Sequence, residues 1–201
     1  MPTLLVIESS PRSASASTSL TQKFTAEWKQ KNPGGKVITR NVFASPAPLV
    51  DEAWIAAAYT PVASRSDDQK KALATSDEYI GELMEADTIV IGAPMHNFNV
   101  SSPLKAWIDQ IVRAGRTFSV GEGGYKGLLD AKKKVIVAAA RGGEYVGDIA
   151  FLDQQTPYLK LILGFIGLTD VNFAYANNQS RGAEAAAAGV QAATEQVLAH
   201  V

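Results

Sequence analysis

The chain has 201 residues, 46% hydrophobic and 19% charged, with a formal net charge of −1. That length and composition suit one soluble globular domain over residues 1–201, and the near-neutral charge gives no general pull toward nucleic acid or an anionic membrane. The absence of cysteine removes disulfides, thiol chemistry and thiolate metal centres, and two histidines are too few for a histidine-built metal site.

Leu4-Leu5-Val6-Ile7 is a compact apolar run closed by Glu8. It reads as a first strand and is too short for a secretory or membrane-spanning segment, so the expected location is cytoplasmic. Ser17 to Lys31 has helical spacing, with Leu20, Phe24 and Trp28 on one face, and Asn32-Pro33-Gly34-Gly35 ends it. Lys36–Asn41 is a short second strand. Phe43 to Ser66 breaks the alternation: it holds three prolines and no strong period, although Glu52–Ala58 suits a short helix. Long irregular insertions usually serve a site or an interface. Asp67–Glu85 reads as one helix. Thr88–Ala93 is a β-branched third strand, and Ser101-Ser102-Pro103 supplies a serine cap and a first-turn proline for a helix over Leu104–Val112. Lys134–Ala139 is the fourth strand, Pro157–Ile166 a helix, Asp170–Tyr175 the fifth strand and Ala183–Ala199 a closing helix.

Five strands alternating with helices predict an α/β fold. The sheet is parallel, with helices on both faces, and the doubly wound flavodoxin-like order 2-1-3-4-5 suits this length. Ligands of such sheets sit beyond the carboxyl ends of the strands, at the switch in strand order. No G-x-G-x-x-G follows strand one and no Walker motif occurs. Gly121 to Gly127 is glycine-rich but reads as a plain turn. Asn99-Val100-Ser101 and Asn178-Gln179-Ser180 match the glycosylation sequon by chance. Lys132-Lys133-Lys134 reads as a solvated strand entry and His200 as a frayed terminus.

Three connections then fall at one sheet edge. After strand one, Ser9 to Ser19 carries seven hydroxyls in eleven residues and leads into a helix N-terminus. A single serine suffices for a cap, so the surplus, with Arg12, points to phosphate. After strand three, Pro94-Met95-His96-Asn97-Phe98-Asn99 combines a turn proline, an amide and two rings, which suits a flat heterocycle with polar edges. After strand four, Ala140-Arg141-Gly142-Gly143 is either a simple turn or a concavity of backbone donors. Phosphate at one end and a planar ring at the other describe FMN. Phe98, Phe118, Phe151 and Phe165 lie in or beside segments that follow the strands; each is core or the lining of an aromatic substrate slot. His96 is either a polar loop residue or a group beside the flavin.

With these motifs in place, the chain resembles the FMN-dependent NADH-azoreductases, a family that also acts as NADH:quinone oxidoreductases. The resemblance covers nearly the whole chain. It rests on Ser9-Ser10, Ala93 to Asn99, Lys105 with Asp109 and Arg113-Ala114-Gly115, Arg141-Gly142-Gly143, and Leu163-Gly164-Phe165-Ile166-Gly167. It implies one FMN per subunit and a homodimer with the site at the subunit interface. By position, Ser10, Ser15, Ala16 and Ser17 match the phosphate-holding turn. Met95, His96, Asn97 and Phe98 match the segment bordering the isoalloxazine ring, and Ala140, Arg141, Gly142 and Gly143 the loop at its pyrimidine edge. The family usually has tyrosine at the position of His96 and serine at that of Ala140.

The expected reaction is a ping-pong transfer of two electrons. NADH or NADPH is the donor, and quinones, azo compounds and nitroaromatics are the expected acceptors. The flavin carries the chemistry, so no protein nucleophile is expected. The amides of Gly142 and Gly143 suit the charge that develops near N1 and the C2 oxygen, and Asn97 suits the N5 side. The rival reading is a flavodoxin-type electron carrier without enzymatic activity, which would be strongly acidic for docking.

Overall fold

A computed structural model describes residues 1–201. The central sheet is formed by β1 (Thr3–Glu8), β2 (Lys36–Asn41), β3 (Thr88–His96), β7 (Lys134–Ala140) and β8 (Asp170–Ala176), in the order β2-β1-β3-β7-β8 and all parallel. These are the five expected strands in the expected order. Three further strands are short. β4 (Asn99–Val100) pairs antiparallel with the end of β3, and β5 (Phe118–Gly121) pairs with β6 (Gly124–Gly127) in a separate ribbon.

Alternation along the strands divides the core between two faces. Leu5, Ile7, Ile89, Ile91, Val135 and Val137 face one side. There they meet α4 (Ala74–Glu85) through Ile80 and Leu83, α5 (Ser102–Ile111) through Trp107 and Ile108, and α6 (Gln155–Phe165) through Leu159 and Leu163. Leu4, Val6, Val90 and Ile136 face the other side, against α1 (Ala16–Lys31) through Leu20, Phe24 and Trp28 and α7 (Ala183–Leu198) through Ala193 and Val197. Strands covered on both faces are apolar throughout, and this is why they stand out in the sequence.

Three expectations are corrected. The helix over Asp67–Glu85 is two helices, α3 (Asp67–Ala72) and α4, broken at Leu73, whose ψ is −3°. The break lets Leu73 bury fully against Trp54 and Ala57 of α2 (Glu52–Tyr59), so tertiary packing overrides an unbroken helical pattern. Trp54 also donates to Gln110 Oε1 at 2.8 Å, which pins the insertion to α5. Ser101 is the N-cap residue of α5, with Pro103 in the first turn, but its side chain makes no cap. Its hydroxyl donates instead to the Ser9 carbonyl at 3.2 Å and ties the α5 entry to the turn after β1. The glycine-rich Gly121–Gly127 segment is the β5–β6 ribbon and its turn. A Cβ on Gly127 would lie 2.3 Å from the Gly167 amide nitrogen, so only glycine permits that backbone crossing.

Candidate functional site at the carboxyl edge of the sheet

At the switch between β1 and β3 lies a cleft of about 360 Å³, lined by Ser10, Arg12, Ser15, Ala16, Pro94, Met95, His96, Ala140, Arg141, Gly142, Gln179 and Ser180, among others. The turns after β1, β3 and β7 therefore meet around one hollow. The turn after β8 closes its fourth side.

The β1 turn leads into a helix N-terminus that suits an anion. Ser15 is the N-cap of α1, and its Oγ accepts from the Thr18 amide at 3.3 Å. The Ala16 and Ser17 amides, at the first two helical positions, have no partner within the helix and sit at the positive end of its dipole. Ser17 stands outside the cleft lining: its side chain is fully buried, with its Oγ 2.9 Å from Ser15 Oγ. Ser10 Oγ accepts from the Arg12 amide at 3.3 Å and shapes the turn. Ser9 Oγ donates to the Gly92 carbonyl at 2.7 Å and fastens the turn to β3.

The segment after the third strand is not a loose loop. β3 continues to His96 and folds back at once, with Met95 opposite Val100 and His96 opposite Asn99. The two turn residues, Asn97 (φ 47°) and Phe98 (φ 68°), both lie in the left-handed region. This is the geometry of the tight hairpin turn that matches strand twist. It sets Met95 and His96 on the cleft wall and turns Asn97 to a neighbouring groove of about 420 Å³, which His96 shares with Asn99, Ser102, Lys105 and Tyr158. Burial, with the nearby charge of Asp109, pushes the Tyr158 phenol up to about 12, so it stands there as a neutral hydroxyl.

The diglycine turn is fixed from behind. The Arg141 amide donates to the Ala176 carbonyl at 2.9 Å, Gln179 N–H to the Arg141 carbonyl at 2.9 Å, and Ser180 N–H to the Gly142 carbonyl at 3.1 Å. The amides of Gly142 and Gly143 donate to no acceptor in the chain. Arg141 is among the residues that line the cleft, and its guanidinium is buried, 3.0 Å from Asp153 Oδ2.

The four phenylalanines are not in this cleft. Phe118 and Phe165 pack on each other at 4.7 Å and on Tyr125 of the β5–β6 ribbon. Phe98 meets Tyr145 edge-on at 5.9 Å, and Phe151 is exposed on a short 3₁₀ turn. Asn97 and Gly143 also stand outside the lining. Sequence reasoning missed Gln179 and Ser180. Their signal was position: they follow the fifth strand at the same sheet edge as the other three turns.

A cleft at the β1/β3 switch of a 2-1-3-4-5 parallel sheet defines a flavodoxin-like protein, and the family model described as a flavodoxin-like fold matches residues 2–201. Among curated proteins, the FMN-dependent NADH:quinone oxidoreductase of a Nostoc species is 45% identical over 100% of both chains. The protein of that name from Burkholderia pseudomallei is 48% identical over 99% of this chain and 100% of its own. Among solved structures, an FMN-dependent NADH-azoreductase from Bacillus anthracis in complex with FMN superposes with a TM-score of 0.88 at 25% identity, covering 99% of this chain and 97% of that one. The chain belongs to the family of FMN-dependent NADH:quinone oxidoreductases and azoreductases.

Proposed function

We propose that this protein is an FMN-dependent NADH oxidoreductase that reduces quinones and azo compounds in a ping-pong cycle. The observation that carries the reading is the meeting of a hydroxyl-rich helix N-terminus, a hairpin wall and an unpartnered diglycine turn around one cleft of about 360 Å³. The residues fit FMN. The free amides of Ala16 and Ser17, with Ser15, Ser10 and Arg12, suit its phosphate. Met95 and His96 border the place for its ring, and the Gly142 amide offers a donor to the pyrimidine edge. When bound, FMN supplies the two-electron chemistry, accepting hydride from the nicotinamide and passing the electrons to the acceptor.

The chain's own part is to hold, orient and screen. A preorganised amide facing developing charge is worth about 3 kcal/mol in a transition state. The His96 side chain makes no hydrogen bond within the chain, and the residue lines both the cleft and the neighbouring groove, free to meet a substrate. The aromatic slot is completed across a homodimer in this reading. What supports a dimer is apolar surface: Leu49, Tyr59 and Val62 on the insertion and Tyr125, Phe151 and Leu161 near the ribbon and α6 are exposed. Phe118, Phe151 and Phe165 then serve the partner's cleft rather than their own. No helix is long and apolar enough to cross a membrane, and the proposed setting is the cytoplasm. Nitroaromatics, as flat reducible compounds, extend the acceptor range.

Purified protein is expected to be yellow and to oxidise NADH with a simple quinone as sole acceptor. A colourless protein that fails to bind added FMN defeats the reading. Retained flavin with turnover only through a protein partner favours the electron carrier instead. Sedimentation at micromolar concentration tests the dimer, and a monomer with full activity refutes the shared slot.

A further inference from the structure

The guanidinium of Arg141 is nearly fully buried, and the residues it meets lie outside the cleft lining. It lies 4.0 Å over the Tyr175 ring, pairs with Asp153 Oδ2 at 3.0 Å and donates to Thr156 Oγ1. Asp153 in turn organises the start of α6. Its Oδ1 accepts from the amides of Gln155 (3.1 Å) and Thr156 (2.9 Å), and its Oδ2 accepts from the Thr156 hydroxyl at 2.8 Å. From this same helix start, Gln154 N–H donates to the Phe98 carbonyl at 3.0 Å, and Gln155 Nε2 donates to the Ala93 carbonyl at 3.1 Å. One polar chain thus runs from the diglycine turn, through Arg141 and Asp153, to the hairpin that forms the opposite cleft wall.

We propose that Arg141 is a positioning residue: its buried pairing with Asp153 sets the diglycine turn and the Met95–Val100 hairpin in one frame around the flavin ring. A buried ion pair is a poor source of stability, because desolvation offsets most of the attraction. It is well suited to fixing geometry, since each partner has few alternatives once the other is placed. The Arg141 N–H and carbonyl are already held by Ala176 and Gln179, so the side chain supplies the remaining restraint. Its consequence is selective. A displaced Gly142 amide costs the reduced, more negatively charged flavin more than the oxidised one.

This inference rests on FMN occupying the cleft. The test is the ratio of dissociation constants for reduced and oxidised FMN, read from the midpoint potential of bound against free flavin. In folded Arg141→Lys and Asp153→Asn proteins the ratio is expected to rise about tenfold, the scale of one charge-assisted hydrogen bond. Lysine keeps the charge but loses the fork, so charge alone does not rescue the ratio. Should either variant fail to fold, Thr156→Val removes one guanidinium contact and spares the Asp153 cap to the Gln155 and Thr156 amides; a rise of about threefold is then expected. An unchanged ratio, or equal weakening of both redox forms, overturns the positioning role. Failure of the unsubstituted protein to bind FMN overturns the functional reading itself, so the two failures are distinct.

Discussion

The two ends of the cleft are made in different ways. At the proposed phosphate end, side chains and a helix terminus do the work: Ser15 caps α1 and leaves the Ala16 and Ser17 amides free. At the proposed ring end, backbone geometry does it. Asn97 and Phe98 occupy left-handed conformations, and the Gly142 and Gly143 amides are left without partners. An end built from hydroxyls and a dipole tolerates substitution one group at a time. An end built from main chain fails when the main chain is displaced or covered.

The largest effect is therefore expected at the ring end. A Cβ on Gly142 would lie 3.0 Å from Ser180 Oγ, which a rotation of that serine relieves, so alanine is tolerated. Gly142→Val adds an isopropyl group beside the cleft. Crowding of this kind costs about 1–3 kcal/mol, and FMN affinity is expected to fall up to a hundredfold while the fold persists. Isothermal titration of the apoprotein checks it. Affinity within about threefold of the original, with 1.36 kcal/mol to the decade, sets the Gly142 amide outside the ring site.

A smaller and more selective loss is expected at the other end. Ser15→Ala removes the cap, worth about 1 kcal/mol, together with one phosphate donor. FMN affinity should fall about tenfold, and riboflavin, which lacks the phosphate, should bind as before. Equal losses for both flavins would place the phosphate elsewhere and erase the contrast between the two ends.

That contrast also decides what could be read from sequence. The apolar runs of β1, β3 and β7 were legible because buried parallel strands are apolar on both faces, whereas the edge strands β2 and β8 are half-exposed and stood out only through the alternation of strands with helices. The hydroxyl surplus around Ser15 was legible because composition alone carries it. The hairpin at Asn97-Phe98 was not: its turn lacks the glycine that usually marks left-handed residues. Gln179 and Ser180 looked like a chance sequon, since their role arises only when β8 lies beside β7 and Ser180 N–H reaches the Gly142 carbonyl. The direction of the Arg141 side chain depends on Asp153, from the segment leading into α6, and no spacing rule announces that pair. Four phenylalanines suggested a slot, but Phe118 and Phe165 satisfy each other at the β5–β6 ribbon.

The smallest effect tests whether Phe98 acts through its ring or only its backbone. A bulky residue at φ 68° carries about 1 kcal/mol of strain that glycine would not. Its edge-on contact with Tyr145 at 5.9 Å returns about the same amount. Phe98→Gly is thus expected to leave stability within about 1 kcal/mol, because the two contributions nearly cancel. In a Tyr145→Ala background the ring has lost this contact, and the strain is no longer offset by it. The same substitution should then stabilise by about 1 kcal/mol, raising Tm by roughly 2–4 °C for a chain of this size. FMN affinity should stay within about threefold in both backgrounds, since Met95 and His96, not Phe98, line the wall. A fall in Tm in the Tyr145→Ala background would show that the ring anchors the hairpin through other contacts, and the ring end would then depend on side chains as the phosphate end does.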